Sequence, residues 1–271
     1  MKPNTDELSR RNFLKWGGGF LSLVAGTFVS ASGLAKVMDK VTPPHPLGPF
    51  FPDEGDEAHV IRENPDFSVP ISMANDNDLT FVKGRKGKAR GQVVYLRGRV
   101  LGLTEGQPTP LPGAVIILWS ADESGRYNHR GDAENTKFSH PRTGKMIARK
   151  HDANFQYWGR SLSDKNGDYW FKTVVPGFYP ADLRNRWYRP PHLHIMILAP
   201  GYPQRVTQLY FKGDQIQEID FIQELNAKDF LLRNPRIPTE DQESLIIEYK
   251  KDLLGKIDDG LVGDYNFVIP A

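Results

Sequence analysis

The stretch 160-RSLSDKNGDYWFKTVV-175 decides the fold. Its two flanks, 160–163 and 168–175, read as strands, and Asn166-Gly167 between them accepts the positive φ angles of a tight β-turn at low cost. The combination predicts a β-hairpin. Outward from it the same pattern repeats. Residues 92–102 (QVVYLRGRVLG) and 114–121 (AVIILWSA) read as strands, with a proline-rich turn over 107–113 between them. Residues 193–198, 205–211 and 264–270 are further strands. Only 239-TEDQESLIIEYKK-251 reads as a helix, with Thr239 and Gln242 as a capping box and Leu245, Ile246 and Tyr249 on one face. Many short strands with turn signals between them predict an all-β protein: a β-sandwich of mainly antiparallel strands with one short helix near the C-terminus.

Composition narrows the chemistry. The 271 residues suffice for one large domain or two small ones, and 21 prolines with 25 glycines fit a turn-rich chain. The absence of cysteine excludes disulfides, thiolate metal sites and cysteine nucleophiles, so any metal must be held by nitrogen and oxygen. The formal charge of +2 arises within residues 1–35, which hold four basic and two acidic side chains and leave 31 of each in the remainder. A neutral body lacks the basic face that a nucleic-acid partner requires. The leading segment, 9-SRRNFLKWGGGFLSLVAGTFVSASGLA-35, places Arg10-Arg11 and Phe13-Leu14-Lys15 before a weakly apolar run. It resembles a twin-arginine export signal and predicts a periplasmic or secreted protein, with cleavage after Ala35 or Ala31. Retention as a membrane anchor is the alternative, and a membrane is expected as a partner only through that segment. Residues 36–91 read as an extended Pro-rich arm with a short element over 58–62, and residues 92–271 as the main domain.

The densest chemistry lies in 185-NRWYRPPHLHIMIL-198. Side chains alternate along a strand, so His192 and His194 point to one face and Leu193 to the other. Two imidazoles so placed form a ready metal pair; one core and one solvated histidine is the plainer reading. Arg189 lies three residues before His192, on a backbone stiffened by Pro190-Pro191. An arginine there suits negative charge on something bound to a cation rather than the cation itself. The residues after the pair, Ile195 to Leu198, are apolar and supply no carboxylate. Asp122 and Asp182 are the nearby acidic candidates, and Tyr127 and Tyr179, at two strand-to-loop exits, are the other oxygen donors. Binding through a tyrosinate removes a proton from a group with a pKa of about 10, which calls for a hard, highly charged ion such as Fe(III).

Taken together, 43-PPHPLGPFF-51, 113-GAVIILWSADESGRYNHR-130, 160-RSLSDKNGDYWFKTVVPGFYP-180 and 187-WYRPPHLHIMILAPGYPQRVTQLYFKGD-214 resemble the intradiol ring-cleavage dioxygenases, most of all the protocatechuate 3,4-dioxygenase branch. The resemblance implies a β-sandwich catalytic domain and a mononuclear non-haem Fe(III) held by Tyr127, Tyr179, His192 and His194, with Tyr179 and His194 axial. It implies a catechol substrate bound through both oxygens, with Tyr179 displaced to take one proton. O2 is the co-substrate, and Arg189 stabilises charge beside the ring. The expected product is a cis,cis-muconate-type diacid. Gln208, in 207-TQLYF-211, matches a position beside the site.

The chain departs from the branch in one place. Residues 133–150 lengthen the segment between Tyr127 and Tyr179, and their polar, basic composition predicts a surface loop near the pocket mouth. Tyr188 is read as pocket packing. The long helical N-terminal domain of the catechol 1,2-dioxygenase branch is replaced by the Pro-rich arm, which favours a protocatechuate-like substrate. Arg130, Arg160 and Arg186 are candidates for holding its carboxylate. The family's tendency towards oligomers extends to a homo-oligomer here. Two other readings are an exported β-sandwich binding protein without catechol turnover, and a zinc hydrolase built on His192 and His194.

Overall fold

The computed structural model describes residues 40–52, 76–253 and 255–271. The export-signal segment, the 58–62 element and most of the central part of the arm lie outside the described residues. Among the described residues no helix is long and apolar enough to cross a membrane.

Two sheets carry the fold, as an all-β sandwich. The spine of the first is β1 (Val93–Thr104). β1 is long enough to serve two sets of neighbours. Its first half pairs antiparallel with β7 (Asp168–Val174) and parallel with β14 (Leu261–Asp264). Its second half pairs antiparallel with β2 (Gln107–Pro110) and parallel with β15 (Phe267–Pro270). β13 (Lys250–Lys251) extends the β14 edge. The second sheet runs β12 (Ile246–Glu248), β11 (Arg205–Lys212), β10 (His192–Leu198), β3 (Val115–Trp119) and β6 (Trp158–Leu162). Among the described residues two small ribbons complete the strands: β4 (Lys137–Ser139) with β5 (Met146–Ala148), and β8 (Tyr179–Asp182) with β9 (Trp187–Arg189).

Alternation explains the core. Val94, Leu96 and Phe171 of the first sheet share one cluster with Ile116, Leu118, Leu193, Ile195 and Leu209 of the second. The other face of β10 carries His192, His194 and Met196 and is also buried. That face lies beneath the arm. His45 N donates to the Val206 carbonyl at 2.9 Å, Thr207 Oγ1 donates to the Pro43 carbonyl at 2.8 Å, and Thr42 N reaches the Val268 carbonyl at 2.9 Å. The arm's prolines lack N–H groups, so it lies along the sheet through scattered bonds and not as a ladder strand.

Four local expectations change. The Asn166-Gly167 turn does not close a hairpin: β6 pairs with β3 in one sheet, β7 with β1 in the other, so the turn is a corner between layers. The 107–113 stretch is not all turn; its first four residues form β2, tolerated because β2 pairs only with β1 and its free edge needs no donors. Residues 264–270 are interrupted at Tyr265 and Asn266, where Asn266 Oδ1 accepts the Arg99 N–H at 2.9 Å, so β14 and β15 are separate. The helix expected over 239–251 is α2 (Thr239–Ser244), capped by Pro238 without a side-chain bond, and 246–248 leaves it to pair with β11. Gln242 spends its amide on the Asn234 and Ile237 carbonyls instead of closing a capping box. A second helix, α1 (Ile219–Lys228), buries Phe221, Ile222 and Leu225.

Candidate metal centre

β10 presents His192 and His194 side by side on its outer face. Their Nε2 atoms are 3.1 Å apart. Tyr127 Oη lies 3.3 Å from His192 Nε2 and 3.1 Å from His194 Nε2. The Tyr179 ring stands edge to face against the Tyr127 ring, with centres 5.5 Å apart, and lies 5.9 Å from the His192 ring. All four side chains are buried. Asp122 and Asp182 are not among them. Asp122 accepts from Ser124 N and Oγ, Arg126 N, Tyr157 Oη and Asp152 N, which fixes the loop that carries Tyr127. Asp182 accepts from Arg184 N and Asn185 in the β8–β9 turn. Among the described residues no group of three or more histidine or carboxylate side chains gathers to hold a metal. A four-donor site here therefore depends on the phenols.

The tyrosines come from separate loops that two glycines allow to touch. A Cβ on Gly125, whose φ is +79°, would fall 2.4 Å from the Phe178 carbonyl oxygen, and one on Gly177 would fall 2.3 Å from Gly125 N. Gly177 N donates to the Asp122 carbonyl at 2.8 Å. Tyr127 N donates to Asp132 Oδ2 at 2.8 Å. Tyr179 opens β8 and stands opposite Arg189 in the β8–β9 ladder. Packing holds the rings: Trp119 stacks on His194 at 4.8 Å and Phe50 of the arm lies 4.7 Å from Tyr127.

Burial raises both phenols above their usual pKa; neighbouring Tyr179 adds to the effect at Tyr127, and Arg189 opposes it at Tyr179. Burial and then Arg189 hold both imidazoles well below their usual value, so they are neutral. His192 Nδ1 faces the Pro190 carbonyl at 2.7 Å, which places its proton there and leaves Nε2 as a lone pair. His194 Nδ1 has no hydrogen-bond partner among the described residues, so either tautomer leaves one nitrogen unsatisfied or pressed against its neighbours. Two neutral imidazoles and the Tyr127 oxygen converging in a buried site, with the Tyr179 ring against them, fit a hard cation that can take two tyrosinates.

Arg189 stands beside this cluster. Nε donates to Asp229 Oδ2 at 2.7 Å, and Nη2 donates to Gln208 Oε1 at 2.6 Å and Tyr210 Oη at 3.2 Å. Burial opposes its charge, but Tyr179, Tyr210 and Asp229 more than offset this and raise its pKa. Gln208 therefore touches Arg189, and it donates to the Pro46 carbonyl at 3.3 Å. Asp229, fully buried, was missed in the sequence; it lies far along the chain in an ordinary-looking AKDF context. Tyr188 packs near Phe138 and Phe178. Arg130 and Arg186 are exposed, and Arg160 is half-buried on β6.

A family model described as Dioxygenase (Dioxygenase_C) matches residues 62–255. The chain belongs to the intradiol ring-cleavage dioxygenase family. It is 32% identical over 146 residues to the protocatechuate 3,4-dioxygenase beta chain of Burkholderia cepacia, covering 54% of this chain and 55% of that one. Over 146 residues it is also 32% identical to the 6-chlorohydroxyquinol 1,2-dioxygenase of Cupriavidus pinatubonensis, covering 49% and 45%. The chain thus spans about half the length of the curated relatives it matches. Among solved structures, an intradiol ring-cleavage dioxygenase from Tetranychus urticae superimposes with a TM-score of 0.53 at 21% identity, over 85% of this chain and 95% of that one, a likeness of fold.

Proposed function

We propose that this chain is an intradiol catechol dioxygenase in which Tyr127, Tyr179, His192 and His194 hold one Fe(III). The observation that carries the proposal is the buried convergence of Tyr127 Oη and both histidine Nε2 atoms within 3.3 Å, with the Tyr179 ring packed against both Tyr127 and His192. Bound Fe(III) would supply Lewis acidity, drawing electron density from a catecholate so that the ring carbon becomes reactive toward O2. The residues around it do the rest. The neutral imidazoles offer lone pairs without first losing a proton. Burial makes the phenols hold their protons until a cation or a base takes them, so Tyr179 would serve both as an oxygen donor to the ion and, when free of it, as a site that holds a proton. Arg189, locked by Asp229 and Gln208, keeps a fixed positive charge beside the ring where negative charge develops. The arm and Trp119 exclude water from the histidine side.

The substrate we propose is protocatechuate-like, because the Burkholderia relative that this chain matches at 32% identity over 146 residues carries that name. The product is then a cis,cis-muconate-type diacid. We further propose that residues 1–35 direct export, so that catechols are met outside the cytoplasm. The test is the visible spectrum of the iron-loaded full chain, before and after anaerobic 3,4-dihydroxybenzoate, followed by O2 uptake. A tyrosinate charge-transfer band that moves to longer wavelength, with O2 consumption, is expected. An iron-bound but colourless protein would overturn the ligand assignment, and a coloured protein that consumes no O2 would be a binder.

A further inference from the structure

Most of the 133–150 insertion is the exposed surface its composition predicts, but two of its side chains, Phe138 and Arg149, turn inward and are buried. Its β4–β5 ribbon is docked at the outer end: Phe138 is buried with its ring 5.3 Å from Phe178, and the Arg142 guanidinium lies 4.6 Å over the Phe221 ring of α1. At the inner end Arg149 is 1% exposed and paired with Asp132, also 1% exposed. Arg149 Nη1 and Nη2 donate to Asp132 Oδ1 and Oδ2 at 2.9 and 2.7 Å. Nη1 also donates to the Asn135 carbonyl at 2.6 Å, and Nη2 to the Gly125 carbonyl. Asp132 Oδ2 in turn accepts the Tyr127 N–H at 2.8 Å. The guanidinium carbon lies 5.7 Å from the centre of the Tyr179 ring.

One buried cation thus touches three things at once: the turn that precedes Tyr127, the carboxylate that fixes the Tyr127 backbone, and the ring of Tyr179. A carboxylate this deeply buried is tolerated only when paired and hydrogen-bonded, so the hold of Asp132 on Tyr127 depends on Arg149. The fork of the guanidinium also matters, because a single ammonium cannot meet two carboxylate oxygens and two carbonyls in one plane.

We propose that Arg149 is a positioning residue that sets where Tyr127 and Tyr179 stand relative to each other, and that the insertion is the brace that delivers it. This rests on the metal role proposed for the two tyrosines. Two variants test it in the full chain. Arg149→Lys keeps the charge and loses the fork. The double variant Arg149→Met with Asp132→Asn removes both charges, so no lone buried charge remains. Each is loaded with iron and compared with the unsubstituted chain by visible spectrum and by kcat and KM for 3,4-dihydroxybenzoate. The expected result is a charge-transfer band displaced or weakened at full iron occupancy. With it, kcat should fall on the order of 10- to 100-fold, the scale of a misplaced reacting group, while KM moves little. Variants with the unsubstituted band and kcat, whatever their melting temperature, would overturn the proposal, since a purely structural ion pair does just that. If the unsubstituted chain itself shows no band, the metal reading fails first. If neither variant folds, amide exchange in the unsubstituted chain decides. A Tyr127 amide as protected as those of β10 is expected, and exchange at the rate of an open loop overturns the brace.

Discussion

Replacing Asp229 by alanine is expected to strand the Arg189 charge inside the protein. Asp229 is fully buried. Its Oδ2 accepts from Arg189 Nε at 2.7 Å and Trp187 Nε1 at 3.2 Å, and its Oδ1 accepts the backbone N–H groups of Leu231 and Leu232 at 3.1 and 2.8 Å. Gln208 and Tyr210 stay as neutral acceptors for the guanidinium, but they cannot balance its charge. Breaking a buried ion pair by removing one partner costs about 3–5 kcal/mol. The lost backbone caps lie within that range, since each net hydrogen bond contributes only about 1 kcal/mol. Against a total stability of roughly 5–15 kcal/mol this is a large fraction. With a urea slope of about 3 kcal/mol per M, the unfolding midpoint of the metal-free protein should fall by roughly 1–1.7 M. Asp229→Asn keeps the shape and part of the hydrogen bonding, so it should lose less, about 2 kcal/mol. Adding Arg189→Met to Asp229→Ala removes the stranded charge and should recover part of the loss, which a double-mutant cycle would register as coupling. An Asp229→Ala protein whose midpoint lies within about 0.3 M of the parent would refute the reasoning, because the Arg189 charge would then be satisfied by something other than Asp229.

Other outcomes follow from the same geometry. Gly48 has a φ of +85° and its missing Cβ would sit 3.1 Å from His194 Cε1, so Gly48→Ala should destabilise by about 1–2 kcal/mol and lower the iron retained per chain, read by elemental analysis. His194→Ala should abolish iron retention and the charge-transfer band while the circular dichroism of the sheets stays unchanged; retained coloured iron would remove His194 from the ligand set. Ile195→Ala, on the core face of the same strand, should cost about 2–5 kcal/mol in denaturant unfolding and leave the band position alone. Asp259 gives a pH signature: partial burial pushes its carboxyl up, but hydrogen bonds from Lys172 and Tyr95 outweigh this and hold it below the usual value. A depressed folded pKa contributes stability above the unfolded value, and that contribution is lost as pH falls through the folded one. The stability gap between the parent and Asp259→Asn should therefore narrow from about pH 5 downward, and a gap independent of pH would contradict the assignment.

How far the sequence could be read depended on the range of the forces involved. Strand alternation is local, so β1, β3, β10 and β11 were legible, as was the shared face of His192 and His194. The layers those strands join are not local: Asn166-Gly167 specifies a turn, but the neighbours of β6 and β7 decide that it crosses from one sheet to the other. Residues 245–249 have helical spacing, yet Tyr210 N donates to the Leu245 carbonyl and draws the chain into pairing with β11, so tertiary contact overrides periodicity. The helix at 219–228 gives a weak signal, because it begins at Glu218 in a left-handed conformation with no capping side chain. At the site, Tyr127 and Tyr179 stand out by resemblance and not by spacing. Asp229 and Arg149 were invisible because what marks them is the company they keep once folded.

β1 also sets the order in which this chain can become a protein. Its register partners in β14 and β15 lie more than 160 positions further along the sequence. Until residues 261–270 have been synthesised, the strand at the heart of the first layer has neither parallel neighbour. Such a topology has high contact order, and the entropy of closing so long a loop must be met before the pairing rewards it, which makes the final step slow. The face of the other sheet that carries His192 and His194, with Asp229 behind Arg189, is built from residues 43–229 and can assemble earlier. The chain is therefore exposed longest along an unfinished edge that belongs to its scaffold and not to its chemistry.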